Sequence, residues 1–328
     1  MDLLLRLMDA SGVSGNEEAV RDLISKEIEK HVDEVRIDTL GNLIAVRKGK
    51  LPRVMLAAHM DEVGLMAKKI ENNGNIRCSA VGEIKADKLA GKKVKIEAGK
   101  NIIGTIKLKK SKKKNIKDIF IKTKLSRKEL LKNGLEIGSY ISFESSANIK
   151  NSIAEGKALD NRTGCFILIE LAKRLKKSEN EIYFVFTVQE EVGLYGATTS
   201  AFEIRPDWAI TVDATEAKKD ASKSEMQLGE GPFITIKDSD FIGNKCINNW
   251  IKGIAKRKKI MLQYNVSDDE TTDATNISLS RGGVPSSVVG VAVENLHATG
   301  GKASVKDIIN LIEILYELMK NPPKVCLV

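Results

Sequence analysis

The sequence predicts an α/β fold, a sheet with helices on both faces into which a β-rich module is inserted. Two observations carry that reading. After residue 155, helix-like and strand-like segments alternate, and such alternation argues a sheet layered between helices. Between about 70 and 154 the texture differs: short apolar clusters punctuated by glycines, the pattern of an all-β module.

In chain order, residues 2–10 and 16–30 read as helices. In the second, Asn16 is placed to cap, and Val20, Leu23, Ile24 and Ile28 fall at helical spacing. Strands are predicted over 35–38, 43–46 and 54–58, the last ending at His59. Within the module, 93–97, 102–108, 119–122 and 140–143 read as strands and 127–132 as one short helix. A helix over 160–177 follows, then strands over 182–188, 208–212 and 287–293, and a helix over 305–319. The expected division is an α/β domain of residues 1–68 and 155–328, with the β module at 69–154.

Bulk properties narrow the function. A chain of 328 residues suffices for one large core, or for a large domain with a smaller one inserted. Its 42% hydrophobic and 30% charged residues are ordinary for a soluble protein. No apolar run reaches the length of a membrane span, and Met-Asp-Leu-Leu-Leu-Arg lacks the basic start of a signal peptide. A cytoplasmic protein with no membrane partner is expected. Cys78, Cys165, Cys246 and Cys326 form no C-x-x-C pair, so neither a zinc knuckle nor a disulfide framework is indicated. Cys165, in Cys-Phe-Ile-Leu-Ile, reads as buried packing. The net charge is +9, but the densest basic run, 107–117, has no aromatics to stack on bases. It reads as a solvated loop or strand edge, not a nucleic-acid surface.

Chemistry gathers at the strand ends. Open α/β sheets place ligands beyond the carboxyl ends of their strands. Val54-Met-Leu-Ala-Ala is followed by His59-Met-Asp61, and Ile182-Tyr-Phe-Val-Phe-Thr-Val by Gln189-Glu190-Glu191. Trp208-Ala-Ile-Thr-Val is followed by Asp213, and Val288-Val-Gly-Val-Ala-Val by Glu294-Asn-Leu-His297. Asp160 adds a carboxylate at the start of a helix. Each residue alone has an ordinary explanation as a cap, a turn or a surface group. Together they supply imidazole and carboxylate donors to one edge, a set suited to zinc or a similar ion. The chain has three histidines, and two of them terminate apolar strands.

His59-Met-Asp-Glu-Val-Gly, Ala158-Leu-Asp-Asn-Arg-Thr-Gly, Thr187-Val-Gln-Glu-Glu-Val-Gly-Leu-Tyr-Gly-Ala and Thr272-Asp-Ala resemble the tetrahedral (glutamyl/deblocking) aminopeptidases, di-metal cytosolic exopeptidases. The resemblance covers nearly the whole chain. It implies a zinc-exopeptidase-like mixed sheet flanked by helices, with an inserted small β-barrel that makes dimer contacts. It implies two divalent ions per subunit, zinc or cobalt, bridged by Asp160, with His59 and Asp213 completing one site and Glu191 and His297 the other. Glu190 would be the general base and Asp61 the group that orients His59. The implied substrates are short peptides with a free N-terminus, and the implied assembly is a dimer-built tetrahedral dodecamer. The chain departs from the family pattern around His297, which lacks the Tyr-x-His-Ser-Pro frame, in 108–113, which lacks Pro-Pro-His, and at Lys218-Lys-Asp220.

Two other functions are weighed. Some relatives carry an endoglucanase label, but glycosidases need a carboxylate pair and no metal cluster. A catalytically silent shell subunit is the other, and the presence of Glu190 argues against it. The preferred N-terminal residue is not legible; it is set by loops around 268–274 and 286–299.

Overall fold

A computed structural model describes residues 1–109, 115–144, 146–218, 226–320 and 322. Lys110 to Lys114 of the basic run, Lys219-Asp220 and Cys326 lie outside the described residues.

Helices α1 (Asp2–Asp9) and α2 (Glu18–Ile28) open the chain, and α2 buries Val20, Ile24 and Ile28 on one face. Asn16 does not cap α2. Its amide donates to Glu97 Oε2 instead, and Glu17 occupies the cap position with its carboxylate turned back to the N–H groups of Gly15 and Gln189. A long-range partner therefore outcompetes the local cap.

Strands β1 (Glu34–Ile37), β2 (Leu43–Arg47) and β3 (Lys50–His59) follow. Next come β4 (Gly64–Ile70), β5 (Ile76–Val81), β6 (Lys93–Ile96), β7 (Ile102–Leu108), β8 (Ile119–Lys122) and β9 (Tyr140–Phe143). These six close into an antiparallel barrel in the order β4-β5-β8-β7-β6-β9. Alternation along the strands turns Val94, Ile96, Ile106, Ile119, Ile121 and Ile141 into its own core. The short helix α3 (Arg127–Lys132) opens on a reciprocal Ser126–Glu129 capping box and drops Leu130 into that core. Strand β4 runs across the junction expected at 68/69, and β10 (Asn148–Lys150) is already back in the large sheet.

The remaining elements are β11 (Ile153–Gly156), α4 (Leu159–Arg174), β12 (Asn180–Thr187), α5 (Tyr195–Ile204), β13 (Trp208–Glu216), β14 (Phe233–Lys237), α6 (Lys245–Lys258), β15 (Gln263–Val266), α7 (Asp273–Ser278), β16 (Ser286–Glu294), β17 (Gly301–Ser304) and α8 (Val305–Lys320). Strands β14 and β15 and helices α5 and α7 have no strong sequence signal and were not anticipated; α6, with its Asn244 cap and Ile247, Ile251, Ile254 and Ala255 at helical spacing, was legible and was missed. The large sheet is mixed, in the order β1-β2-β12-β3-β13-β16-β17-β11-β10, with β14 and β15 branching from β16. Its four middle strands, β12, β3, β13 and β16, are mutually parallel neighbours. They are nearly continuous runs of buried residues, as strands covered on both faces must be. The main core lies against α1, α2, α4, α6 and α8, and a smaller one against α5 and α7.

Cys78 and Cys165 are free and buried, whereas Cys246 is disulfide-bonded, which its spacing did not signal. Among the described residues no helix is long and apolar enough to cross a membrane.

Candidate active site

The four parallel strands all point their carboxyl ends to one edge, so the residues that follow them meet there. His59 ends β3 in register with Thr187, the last residue of β12, and three and four residues later come Glu190 and Glu191. Asp213 lies within β13, and His297 follows β16. Asp160 arrives separately, from the first turn of α4.

Asp160 does not cap that helix. It and Asn161 have non-helical backbone angles, joined by a cis peptide bond, and the carboxylate is directed at two imidazoles. The residues after Asp160 explain how it is placed. Asn161 donates to the Val212 carbonyl, beside Asp213, and accepts from Gly164 N–H. A Cβ on Gly164 would lie 2.4 Å from Asn161 Oδ1 and 2.8 Å from the Val212 carbonyl oxygen, so only glycine lets α4 approach β13 this closely. Arg162, fully buried, donates to the carbonyls of Leu7 and Ala10, and Thr163 bonds back to Leu159.

Two groups of donors result. His59 Nε2 is 3.1 Å from Asp160 Oδ1 and 3.6 Å from Asp213 Oδ1. His297 Nε2 is 3.1 Å from Asp160 Oδ2 and 3.8 Å from Glu191 Oε2. Within each group the donor atoms lie within 4.8 Å of one another. Asp160 thus offers one oxygen to each. Asp61, fully buried, lies 3.3 Å from His59 Nδ1, an ion-pair distance whose alignment falls short of a hydrogen bond. It accepts from Ser14 Oγ at 2.6 Å and from the N–H groups of Glu190 and Glu191.

The backbone is bent to make this possible. Ala158, Gln189, Asn295 and His297 all adopt left-handed angles, with φ of 54°, 56°, 58° and 53°. Such conformations cost roughly 1–2 kcal/mol each outside glycine and gather where a site over-determines them. Glu17 holds the Gln189 N–H, and Glu216 accepts from Asn295 and Leu296 N–H at 3.1 Å each. The segment around His297 is therefore fixed by Glu216.

Electrostatics point the same way. Burial, with neighbouring carboxylates, pushes Glu191 up to about 8 and Glu190 well above the usual carboxylate range. Burial likewise raises Asp213 and lifts Asp273 to about 7. Burial opposes a charged His297, yet the Asp160 carboxylate holds it at about 9, and His59 is raised by Glu190, Asp160, Asp213 and Asp61 against its own burial. Carboxylates pushed up beside imidazoles pulled up mark an excess of buried negative charge. Glu191 Oε1 is buried with no hydrogen-bond partner among the described residues, a costly state that a cation relieves. The donor chemistry of both groups suits a divalent ion, and the orphaned oxygen, in the Glu191 group, fits a cation there.

All seven residues singled out in the sequence meet here. Several others at the site were passed over. Asn161, Glu17 and Glu216 support it through contacts to backbone groups, and Ser14 through its hydroxyl on Asp61, none of which leaves a periodic signal. Asp273 is fully buried, accepts from Thr187 Oγ1 at 2.5 Å, and lies in the Thr272-Asp-Ala motif that suggested no role.

Residues 41–314 match the M42 glutamyl aminopeptidase family. The chain belongs to that family. It is 31% identical to the lysyl aminopeptidase of Pyrococcus furiosus, over 97% of this chain and 96% of that protein. Among solved structures it is similar to a TET aminopeptidase from a marine sediment thaumarchaeote, with 31% identity, a TM-score of 0.95, and coverage of 99% of this chain and 96% of that one. It is also similar to the Pyrococcus horikoshii TET1 peptidase, which assembles into a tetrahedron or a larger octahedral shell; identity is 27%, TM-score 0.88, and coverage 97% and 98%. A Thermotoga maritima structure named endoglucanase is 31% identical with a TM-score of 0.82, over 97% of this chain and 96% of that one. This M42 protein is a hydrolase of peptide bonds, of the aminopeptidase type, and carries residue groups able to bind a metal.

Proposed function

We propose that the protein removes the N-terminal residue of short peptides with a free amino terminus, using two divalent ions. The observation that carries this is Asp160, whose two carboxylate oxygens each lie 3.1 Å from the Nε2 of a different histidine. His59 and Asp213 would hold one ion with Asp160, and Glu191 and His297 the other. Nitrogen and oxygen donors of this kind suit zinc or cobalt. Ions held there would supply Lewis-acid polarisation of the scissile carbonyl and acidify water.

The chain's own residues do the rest. Glu190 binds no ion in this scheme, lines the same cleft as both groups, and is the base that takes a proton from water and passes it to the leaving amine. Asp61 holds the His59 ring and fixes the turn that carries Glu190 and Glu191.

Residues 1–68 and 155–328 form the catalytic unit in this proposal, and 69–154 the dimerisation module. Dimers built on that module would assemble into a dodecamer in the cytoplasm, supported by the Pyrococcus horikoshii TET1 shells. A gel-filtration mass near twelve times 36.0 kDa supports this, and a monomer sinks it.

The decisive experiment follows release of amino acids from short peptides. Activity abolished by a chelator and restored by Zn²⁺ or Co²⁺ is the outcome required. Metal-independent hydrolysis of soluble cellulose derivatives, without peptide turnover, would overturn the proposal.

A further inference from the structure

The outer face of the barrel carries a hollow of about 790 Å³ that shares no lining residue with the cleft of the donor groups. Strand register builds it. On β7, Ile102 and Ile106 turn into the barrel core, so Ile103, Thr105 and Lys107 face outward. Thr105 is paired with Lys93 of β6 on one side and with Lys122 of β8 on the other. Two lysines therefore flank one central threonine, their backbones about 10 Å apart at the usual strand spacing. Lys107 lies further along β7. Lys100, in the turn between β6 and β7, and Lys124, just after β8, bring the lining lysines to five.

All five are exposed, and none makes an ion pair or a side-chain hydrogen bond among the described residues. No carboxylate lines the hollow. Lys95, the next outward residue on β6, has the ordinary arrangement: it lies 3.7 Å from Glu97 and stays out of the lining. Like charges brought together across a sheet repel one another. Here five converge with no acidic partner, and an anion seated among them relieves that repulsion. Their sequence positions, spread from 93 to 124, hide the cluster until the strands are paired.

We propose that this hollow binds a polyphosphate chain, free or carried by a nucleotide. Its volume falls in the range of small-ligand sites, about 300–1,000 Å³. Ammonium groups bind phosphate as point charges, and five of them answer the several negative charges of a triphosphate. An acidic peptide fits less well, because the barrel is closed and offers no strand edge to a peptide backbone. Nucleic acid fits less well too, since no aromatic lines the hollow to stack a base. A second copy presenting the same face would set lysine against lysine. The site is independent of the aminopeptidase reading.

Calorimetric titration of the metal-loaded protein with inorganic tripolyphosphate is the test. Saturable binding that weakens with added salt is expected, with inorganic monophosphate the weaker ligand. Lys93→Gln and Lys122→Gln, both at exposed positions, each raise Kd roughly fivefold, as removal of one exposed charge pair does. Lys95→Gln leaves Kd close to that of the parent. ATP distinguishes the two sources: affinity equal to that of tripolyphosphate supports a free chain, and tighter binding supports a nucleotide. Binding unchanged in both hollow variants reports phosphate held by the metal ions and overturns the proposal. So does an equal loss in Lys95→Gln, tighter binding of hexaglutamate than of tripolyphosphate, or no binding at low salt.

Discussion

The Asp61 carboxylate accepts the backbone N–H groups of Glu190 and Glu191 at 3.2 Å each, while its Oδ1 lies 3.3 Å from His59 Nδ1. One buried side chain therefore joins the end of β3 to the turn after β12. It sets the angle of a candidate ligand and the position of the candidate base together.

Replacing Asp61 should accordingly disturb both. Asp61→Asn keeps an acceptor but loses the charge facing His59. We expect metal affinity to fall by roughly 10–100-fold, as for other partners of metal-bound histidines. Competition with a chromogenic chelator measures this directly. Unchanged affinity would show that His59 needs no such partner.

For Glu190 the expectation is the opposite split. Glu190→Gln retains both ions, because the residue belongs to neither donor group. Turnover falls by at least about two orders of magnitude, the usual effect of removing a general base. Metal analysis and steady-state kinetics on the same preparation check it; near-normal kcat would end the proposed mechanism.

Gly164→Ala tests the placement of Asp160. The added methyl meets Asn161 Oδ1 and the Val212 carbonyl, and the second is backbone that cannot turn aside. Overpacking of this kind costs about 1–3 kcal/mol. Denaturant unfolding should show that loss, and metal affinity should drop with it because α4 carries Asp160 away from β13.

Glu17 gives stability a pH dependence. Burial pushes its carboxyl up from 4.5 to about 7, partly offset by the N–H groups of Gly15 and Gln189. The folded form binds the proton more tightly than the unfolded chain, so this contribution is fully present below pH 4.5 and is lost as pH rises through about 7. Its size is on the order of 3 kcal/mol. Glu17→Gln, which keeps the acceptor oxygen, should match the parent near pH 4 and exceed it in stability above pH 7. Parallel unfolding curves for metal-free protein at the two pH values decide the point.

Much of this molecule was legible in its residues. The buried parallel strands follow from continuous apolar runs, because a strand covered on both faces must be apolar throughout, and α8 follows from its helical period. The polar residues that interrupt or end those runs were therefore conspicuous, and His59, Glu190, Glu191, Asp213 and His297 were found that way. Elements with weak period, such as β15 and α7, were not.

Tertiary structure decided what no local pattern encodes. Asn16 looked like a cap and became a partner of Glu97, since a contact 81 residues away was stronger than the local one. Asp160 looked like the start of a helix, and only the approach of α4 to β13 turned its two oxygens toward His59 and His297. Sequence determined which donors are available at the strand ends. Which of them face one another depends on strand order and close packing, and those are fixed by contacts between residues far apart in the chain.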